Sequence, residues 1–169
     1  TTSRCANLLK GRPILLRTID RLKKSQHLGD IYVLCPERQL DRISQLASDS
    51  GAVVKSHGFG DPPWRPLVQS ARKWSRNGWR GGLGGSTIFD EYTDARVLSE
   101  LLKSVEVDAV LSVPPAAPFV DPGIVDRMIE HRRAVKDEAR MVVTQAPPGV
   151  AGILLDRELV HELGAQGVV

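Results

Sequence analysis

Cysteine and aromatic residues are scarce in this 169-residue sequence: there are two cysteines, and Phe, Trp and Tyr together make up 5%. Cys5 and Cys35 form no CxxC pair and no cluster with histidine, so neither a disulfide framework nor a zinc site is expected. No apolar run approaches the ~20 residues that a membrane-spanning helix needs. Thr1 to Asn7 is polar and no apolar core follows it, so no signal peptide is expected and a reducing cytoplasm is the expected setting. Several catalytic signatures are missing too. There is no GxxxxGK followed by Ser or Thr, no HExxH and no GxSxG. Gly82, Gly84 and Gly85 approach a dinucleotide fingerprint, but no expected strand precedes them and their spacing is wrong. His27, His57, His131 and His161 are scattered and read as surface residues.

The rest of the composition is that of one soluble globular domain, with 41% hydrophobic and 25% charged residues. The net charge of +3 is too small to imply nucleic acid. Its distribution says more. Arg4, Lys10, Arg12, Arg17, Arg21, Lys23 and Lys24 face one acid, Asp20, and no acid lies between Pro62 and Gly85. Such a field favours an anionic ligand such as a phosphate; a solvated helix face is the alternative. The chain starts without methionine and stops at Gly167-Val168-Val169, which leads us to expect a fragment or trimmed domain.

Apolar spacing supplies the elements. Gly11-Arg12-Pro13 is expected to open a helix with Leu15, Ile19 and Leu22 on one face, ending between Ser25 and Gly29. Asp30 to Cys35 reads as a buried strand and Ala52 to Val54 as a second, with a helix through Leu40, Ile43, Leu46 and Ala47 between them. That order predicts parallel pairing. Thr87 to Asp90 reads as a capping-box-like start of a helix lined by Leu98, Leu101, Leu102 and Val105. Asp108 to Val113 is the next expected strand. Asp121 is expected to cap a helix with Pro122 in its first turn. Arg140 to Thr144 and Gly152 to Leu155 are further expected strands, and Asp156 is expected to cap a last helix. The expected class is α/β with a mostly parallel sheet, in which ligands bind beyond the carboxyl ends of the strands.

A polar loop from Ser3-Arg4 into Gly11-Arg12-Pro13 would present backbone N–H groups to an anion, with Arg4 and Arg12 on phosphate oxygens. A basic loop capping a surface helix is the alternative. Residues 60–88 form a Trp/Arg/Gly-rich insertion with Trp64, Trp74, Trp79 and Arg80. A stacking and anion-binding surface and a packed helix-loop are both open readings of it.

These motifs resemble those of the sugar cytidylyltransferases that activate sialic acid and Kdo, including the SpsF-like branch. The resemblance rests on Ser3-Arg4, Gly11-Arg12-Pro13-Ile14-Leu15, Arg17 to Leu22, Asp30 to Cys35, Phe89-Asp90-Glu91-Tyr92 and Asp108 to Val113. Pro118 to Asp126 is its most specific part, and Pro148-Gly149 with Leu154, Leu159 and Leu163 extends it. It implies a three-layer α/β/α fold of the nucleotide-diphospho-sugar transferase kind over residues 1–169, without its first strand and much of its C-terminal part. The implied activity is transfer of a nucleotidyl group from a nucleoside triphosphate, CTP, to a sugar or sugar acid, as in polysaccharide biosynthesis. Arg4 and Arg12 are the implied catalytic residues, and Ser3, Gly11, Arg80, Asp90 and Pro118 the implied substrate-binding residues. A homodimer or a fused domain is the implied assembly, with neither nucleic acid nor membrane as partner.

The sequence departs from the family pattern in places. Magnesium is the implied cofactor, but the position of the family's metal-binding aspartate is Ala116, which offers no oxygen ligand. Asp90, Glu91, Asp94 and Asp121 are the carboxylates left to replace it. Arg12 stands where the family has lysine, and the loop between Arg4 and Gly11 is shorter. A degenerate binding module beside another domain is therefore the alternative function. A glycosyltransferase is weaker, because no DxD motif is present.

Overall fold

The computed structural model describes residues 4–60, 66–67, 70, 93–135 and 138–167. The strands are numbered β1 to β7 and the helices α1 to α5 in chain order. A short 3-10 turn, Arg4–Ala6, buries Cys5. β1 (Leu8–Leu9) and β2 (Arg12–Pro13) then form an antiparallel hairpin. Its two-residue turn, Lys10 and Gly11, has φ of 50° and 75°, the left-handed pair of a type I′ turn. Arg17 fixes that turn by donating from Nε to the Leu9 carbonyl at 2.6 Å and from Nη2 to the Lys10 carbonyl at 3.0 Å.

α1 (Ile14–Leu22) follows at once. Pro13 is its N-cap with extended backbone, so the helix starts beyond the Gly-Arg-Pro triplet expected to open it. It turns Leu15, Ile19 and Leu22 inward, as the sequence spacing requires.

β3 (Tyr32–Pro36), α2 (Leu40–Ala47) and β4 (Val53–His57) form a parallel β-α-β unit, with Tyr32 opposite Val53 and Pro36 opposite His57. The expected parallel pairing is present here, and β4 runs three residues beyond the expected Val54. Val33, Cys35 and Val54 pack with Leu15, Ile19, Ile43 and Cys5. Strand alternation puts Lys55 and His57 on the opposite side of β4 from Val54.

The second sheet departs from the mostly parallel expectation. β7 (Ile153–Asp156) lies between β5 (Ala109–Ser112) and β6 (Met141–Val142), antiparallel to both. The β6–β7 link, residues 143–152 with a turn through Pro147 to Gly149, is shorter than the dozen or so residues that a parallel crossover needs, so it joins antiparallel neighbours. Ala109, Leu111 and Leu154 pack with Val125, Met128 and Ile129 of α4 (Pro122–Ala134). Val110 and Leu155 pack with Leu102 of α3 (Ala95–Leu102) and Val160 of α5 (Arg157–Ala165). Helices therefore cover both faces of this sheet. Ile31 touches the cores of both sheets and joins them.

The helix starts are specific. Asp121 accepts the Ile124 N–H at 3.0 Å with Pro122 behind it, as expected. Asp156 occupies the N-cap of α5 but makes no cap bond with its side chain, because that carboxylate is paired to Arg132. α3 does not begin at Thr87: Thr93 and Asp94 are non-helical, and Asp94 caps the helix through the Arg96 N–H at 3.1 Å. Val105 lies beyond its end. Ser3, Arg80, Asp90, Glu91 and the three tryptophans fall outside the described residues. Among the described residues no helix is long and apolar enough to cross a membrane.

Candidate functional site

β3, β4 and β5 end at Pro36, His57 and Ser112, and the loops beyond them carry the polar groups of the site. The loop after β5, Pro114 to Asp121, is held from several sides. The Thr18 hydroxyl on α1 lies 3.3 Å from the Pro115 carbonyl, and Arg21 donates from Nε to the Val120 carbonyl. The Val120 N–H bonds to Ala117 O at 3.1 Å, and the Asp121 N–H to Val150 O at 2.7 Å. Ala117 and Val120 are buried beneath this turn, Pro118 is half-buried, and Phe119 stands 67% exposed at its tip.

The N-terminal segment differs from the open loop expected. It is a closed hairpin, with Gly11 at the turn, and the Asn7 carbonyl takes the Ile14 N–H at 2.9 Å. One of the helix N-terminal donors is thus already used. Arg12 makes a two-pronged pair with Asp20, Nε to Oδ2 at 2.7 Å and Nη2 to Oδ1 at 3.0 Å. The Arg4 turn sits by the core that includes Cys35, near the end of β3, and the Arg4 side chain is half-buried. Cys5 and Cys35 are both buried and form no disulfide, and burial pushes the Cys35 thiol up from its ordinary value.

α1 thus joins the hairpin at its start to the Pro118 turn at its end. Gly11 and Arg12 lie at the first, Pro118 at the second.

A second polar cluster surrounds His57. Its Nδ1 is buried with no hydrogen-bond partner among the described residues. A backbone contact from Phe59 favours the protonated ring without reaching hydrogen-bond geometry at Nδ1. Burial outweighs that contact and the Asp94 charge, and Arg96 adds to burial, so the ring titrates below its ordinary 6.5. The Phe59 ring lies 6.1 Å from the imidazole, and the Arg96 guanidinium stands 5.3 Å from the Phe59 ring centre. Asp94 grips Arg96 through both oxygens, at 3.1 and 2.8 Å, and raises the Arg96 pKa. The Thr93 hydroxyl bonds to Ser112 at 3.0 Å, tying this cluster to the end of β5. Sequence reasoning set His57 on the surface and passed over Thr93, Arg96 and Ser112. The available signal was Thr-Asp-x-Arg at a helix start, where a capping aspartate also faces an arginine two residues on.

The carboxylates fit a hard cation poorly. Asp121 Oδ1 is in the helix cap and Oδ2 is 3.7 Å from Arg21, while both Asp94 oxygens are on Arg96. Among the described residues no group of three His, Cys, Asp or Glu side chains is arranged to hold a metal.

No protein-family model matches the chain, and no curated protein matches it in sequence. Its backbone, however, superposes on solved structures. A cytidylyltransferase from Leptospira borgpetersenii serovar Hardjo-bovis aligns with a TM-score of 0.69 at 16% identity, over 96% of this chain and 57% of that one. The fold is that of the cytidylyltransferases. CMP:2-keto-3-deoxy-manno-octonic acid synthetase complexed with CTP aligns with a TM-score of 0.61 at 11% identity, over 96% of this chain and 70% of that one. The 4-diphosphocytidyl-2C-methyl-D-erythritol synthase of Anaerococcus prevotii gives 0.55 at 12% identity, over 94% and 66%. A cytidylyltransferase fold is thus present in a chain that spans 57% of the length of the Leptospira protein. At such identity the likeness describes the backbone and assigns no residue a role.

Proposed function

We propose that this chain binds a nucleoside triphosphate, CTP, beyond the carboxyl ends of β3, β4 and β5, and transfers its nucleotidyl group to a sugar or sugar acid. The observation that carries this is the pinned Pro114 to Asp121 loop at the end of β5, in a backbone that follows a CTP-bound synthetase at a TM-score of 0.61. The reaction is in-line attack of an acceptor oxygen on the α-phosphate, with pyrophosphate leaving. Arg4 holds phosphate oxygens from the turn beside β3. Arg12 joins it by exchanging Asp20 for phosphate, since the pair is half exposed. Ser3, Gly11, Arg80, Asp90 and Pro118 complete the substrate contacts in this reading. Magnesium, the cofactor of this chemistry, does not fit the described carboxylates.

The same reading includes a three-layer α/β/α frame, a cytoplasmic setting, a role in polysaccharide biosynthesis, and a homodimer or fused second domain.

A second reading is binding without transfer, favoured by Ala116 and by the engagement of Asp94 and Asp121. One experiment separates the two. The protein is heated with CTP, ATP, GTP or UTP, since a ligand that binds the folded state raises Tm. Pyrophosphate release is then followed with CTP and a panel of sugar acids. A selective rise with CTP and release of pyrophosphate supports transfer. A rise without release supports the binding module. No rise with any nucleotide sinks both.

A further inference from the structure

We infer that a nucleotide phosphate at the Pro114 to Asp121 turn is neutralised by the Arg21 guanidinium and not by a divalent cation. This rests on the nucleotide reading above. A hard cation needs several oxygen ligands held at close range. The turn offers the Ala116 methyl group, and an Asp121 carboxylate whose Oδ1 already holds the start of α4. The remaining oxygen, Oδ2, faces the Arg21 guanidinium at 3.7 Å, so a cation bound there would sit against a like charge. Asp94 is no freer, with both oxygens on Arg96.

A permanent positive charge is already at this turn. Arg21 Nε is bound to the Val120 carbonyl, which fixes the plane of the guanidinium. Nη2 is 3.7 Å from Asp121 Oδ2, a loose pair that leaves the charge only partly offset. Nη1 has no partner among the described residues, and the side chain is 37% exposed. An arginine fixed at one nitrogen, with no close hydrogen bond at its other two among the described residues, suits a phosphate oxygen. The Thr18 hydroxyl on the Pro115 carbonyl and the Val120 N–H on Ala117 keep the turn itself from moving. Arg21 therefore needs no rearrangement to meet an anion there.

The test is CTP binding by calorimetry on the full chain, in EDTA and in magnesium. Equal affinity within about twofold is expected in the two buffers. Arg21→Gln is expected to weaken CTP about tenfold or more in both, through loss of a charge-assisted contact. That change also removes the Val120 contact, so circular dichroism and Tm of the variant are measured alongside. Ala116→Asp avoids this difficulty, because Ala116 is half-buried and the hydrogen bonds that hold the turn are made by Pro115, Ala117, Val120 and Asp121. The added carboxylate is expected to weaken CTP in EDTA by repulsion and to regain affinity in magnesium. Wild-type binding confined to the magnesium buffer overturns the inference and leaves the nucleotide reading standing. An Ala116→Asp protein unchanged in both buffers overturns it as well. Absence of CTP binding in both buffers overturns the inference and the nucleotide reading together.

Discussion

Asp126 on α4 accepts hydrogen bonds from the Ser25 hydroxyl and from the backbone N–H groups of Gln26 and His27, which follow α1. One carboxylate thus satisfies the connection that leads into β3 from a helix far along the chain. Burial raises its pKa, but the hydroxyl and the two amides together outweigh burial and hold it below the ordinary 3.8. A carboxylate depressed in the folded state contributes stability above its unfolded pKa, and that contribution is lost as pH falls through the folded value. Asp126→Asn is therefore expected to cost about 1–3 kcal/mol at pH 7. The gap to wild type should begin to narrow as pH falls below about 4 and go on narrowing through the lower folded value. Urea denaturation across pH 3 to 7 checks this. A gap that stays constant over that range rules the account out.

Gly152 ties β7 to the loop end of β5. A Cβ built there would lie 2.3 Å from the Ser112 carbonyl and 2.8 Å from a Val113 methyl group. The first neighbour is backbone and cannot rotate away. Gly152→Ala is expected to cost about 1–3 kcal/mol by overpacking. Gly29→Ala, where a Cβ meets nothing within 4 Å, is the control and should change little. Equal thermal midpoints for the two variants would contradict the close approach.

Arg157 closes the end of α3 from the first turn of α5. Nη2 donates to the Leu102 carbonyl at 2.6 Å and Nη1 to the Val105 carbonyl at 2.7 Å. The Leu102 carbonyl is one of the orphan acceptors that a helix end must satisfy, and Val105 lies in the connection just beyond it. Arg157→Met keeps the stem and is expected to cost about 2 kcal/mol through the two lost bonds. Lys103→Met removes an exposed pair with Glu100 and should cost less than about 0.5 kcal/mol. Denaturant midpoints compare the two. A larger loss for Lys103 would show that Arg157 is not what closes the helix.

Local features of this fold were legible and long-range ones were not. The apolar spacing of Leu15, Ile19 and Leu22 gave α1, and Asp121-Pro122 gave the start of α4, because both signals lie within a few residues. The direction of β7 was hidden, because a strand's own sequence does not tell which neighbour it pairs with. The Lys10-Gly11 turn escaped notice because its first left-handed residue is a lysine, not the asparagine or aspartate that marks a type I′ turn. The site divided the same way. Arg12 and Pro118 were legible as motif residues. That Asp20 holds Arg12 and that Arg21 holds the Pro118 turn depended on contacts across α1 that residue order alone does not show. His57 read as surface, since the burial that lowers its pKa comes from packing that residue order does not show.

The His57 cluster can be read directly by titration. Burial lowers the imidazole pKa from 6.5, and Asp94 opposes that shift while Arg96 adds to it. Removing the Asp94 charge therefore leaves burial and Arg96 acting together. Asp94→Asn is expected to move the His57 pKa further down. Asparagine caps a helix about as well as aspartate, so the start of α3 should survive the change. Because the folded ring binds its proton less readily than the unfolded one, the contribution of His57 to stability is present above about pH 6.5. It is lost as pH falls from there through the lower folded value, and in Asp94→Asn the loss should extend to lower pH and run deeper. Proton NMR of the ring signals against pH, with His57→Gln to assign them, gives the values. An upward or unchanged pKa in Asp94→Asn would mean that the Asp94 carboxylate is spent on Arg96 and does not reach the imidazole.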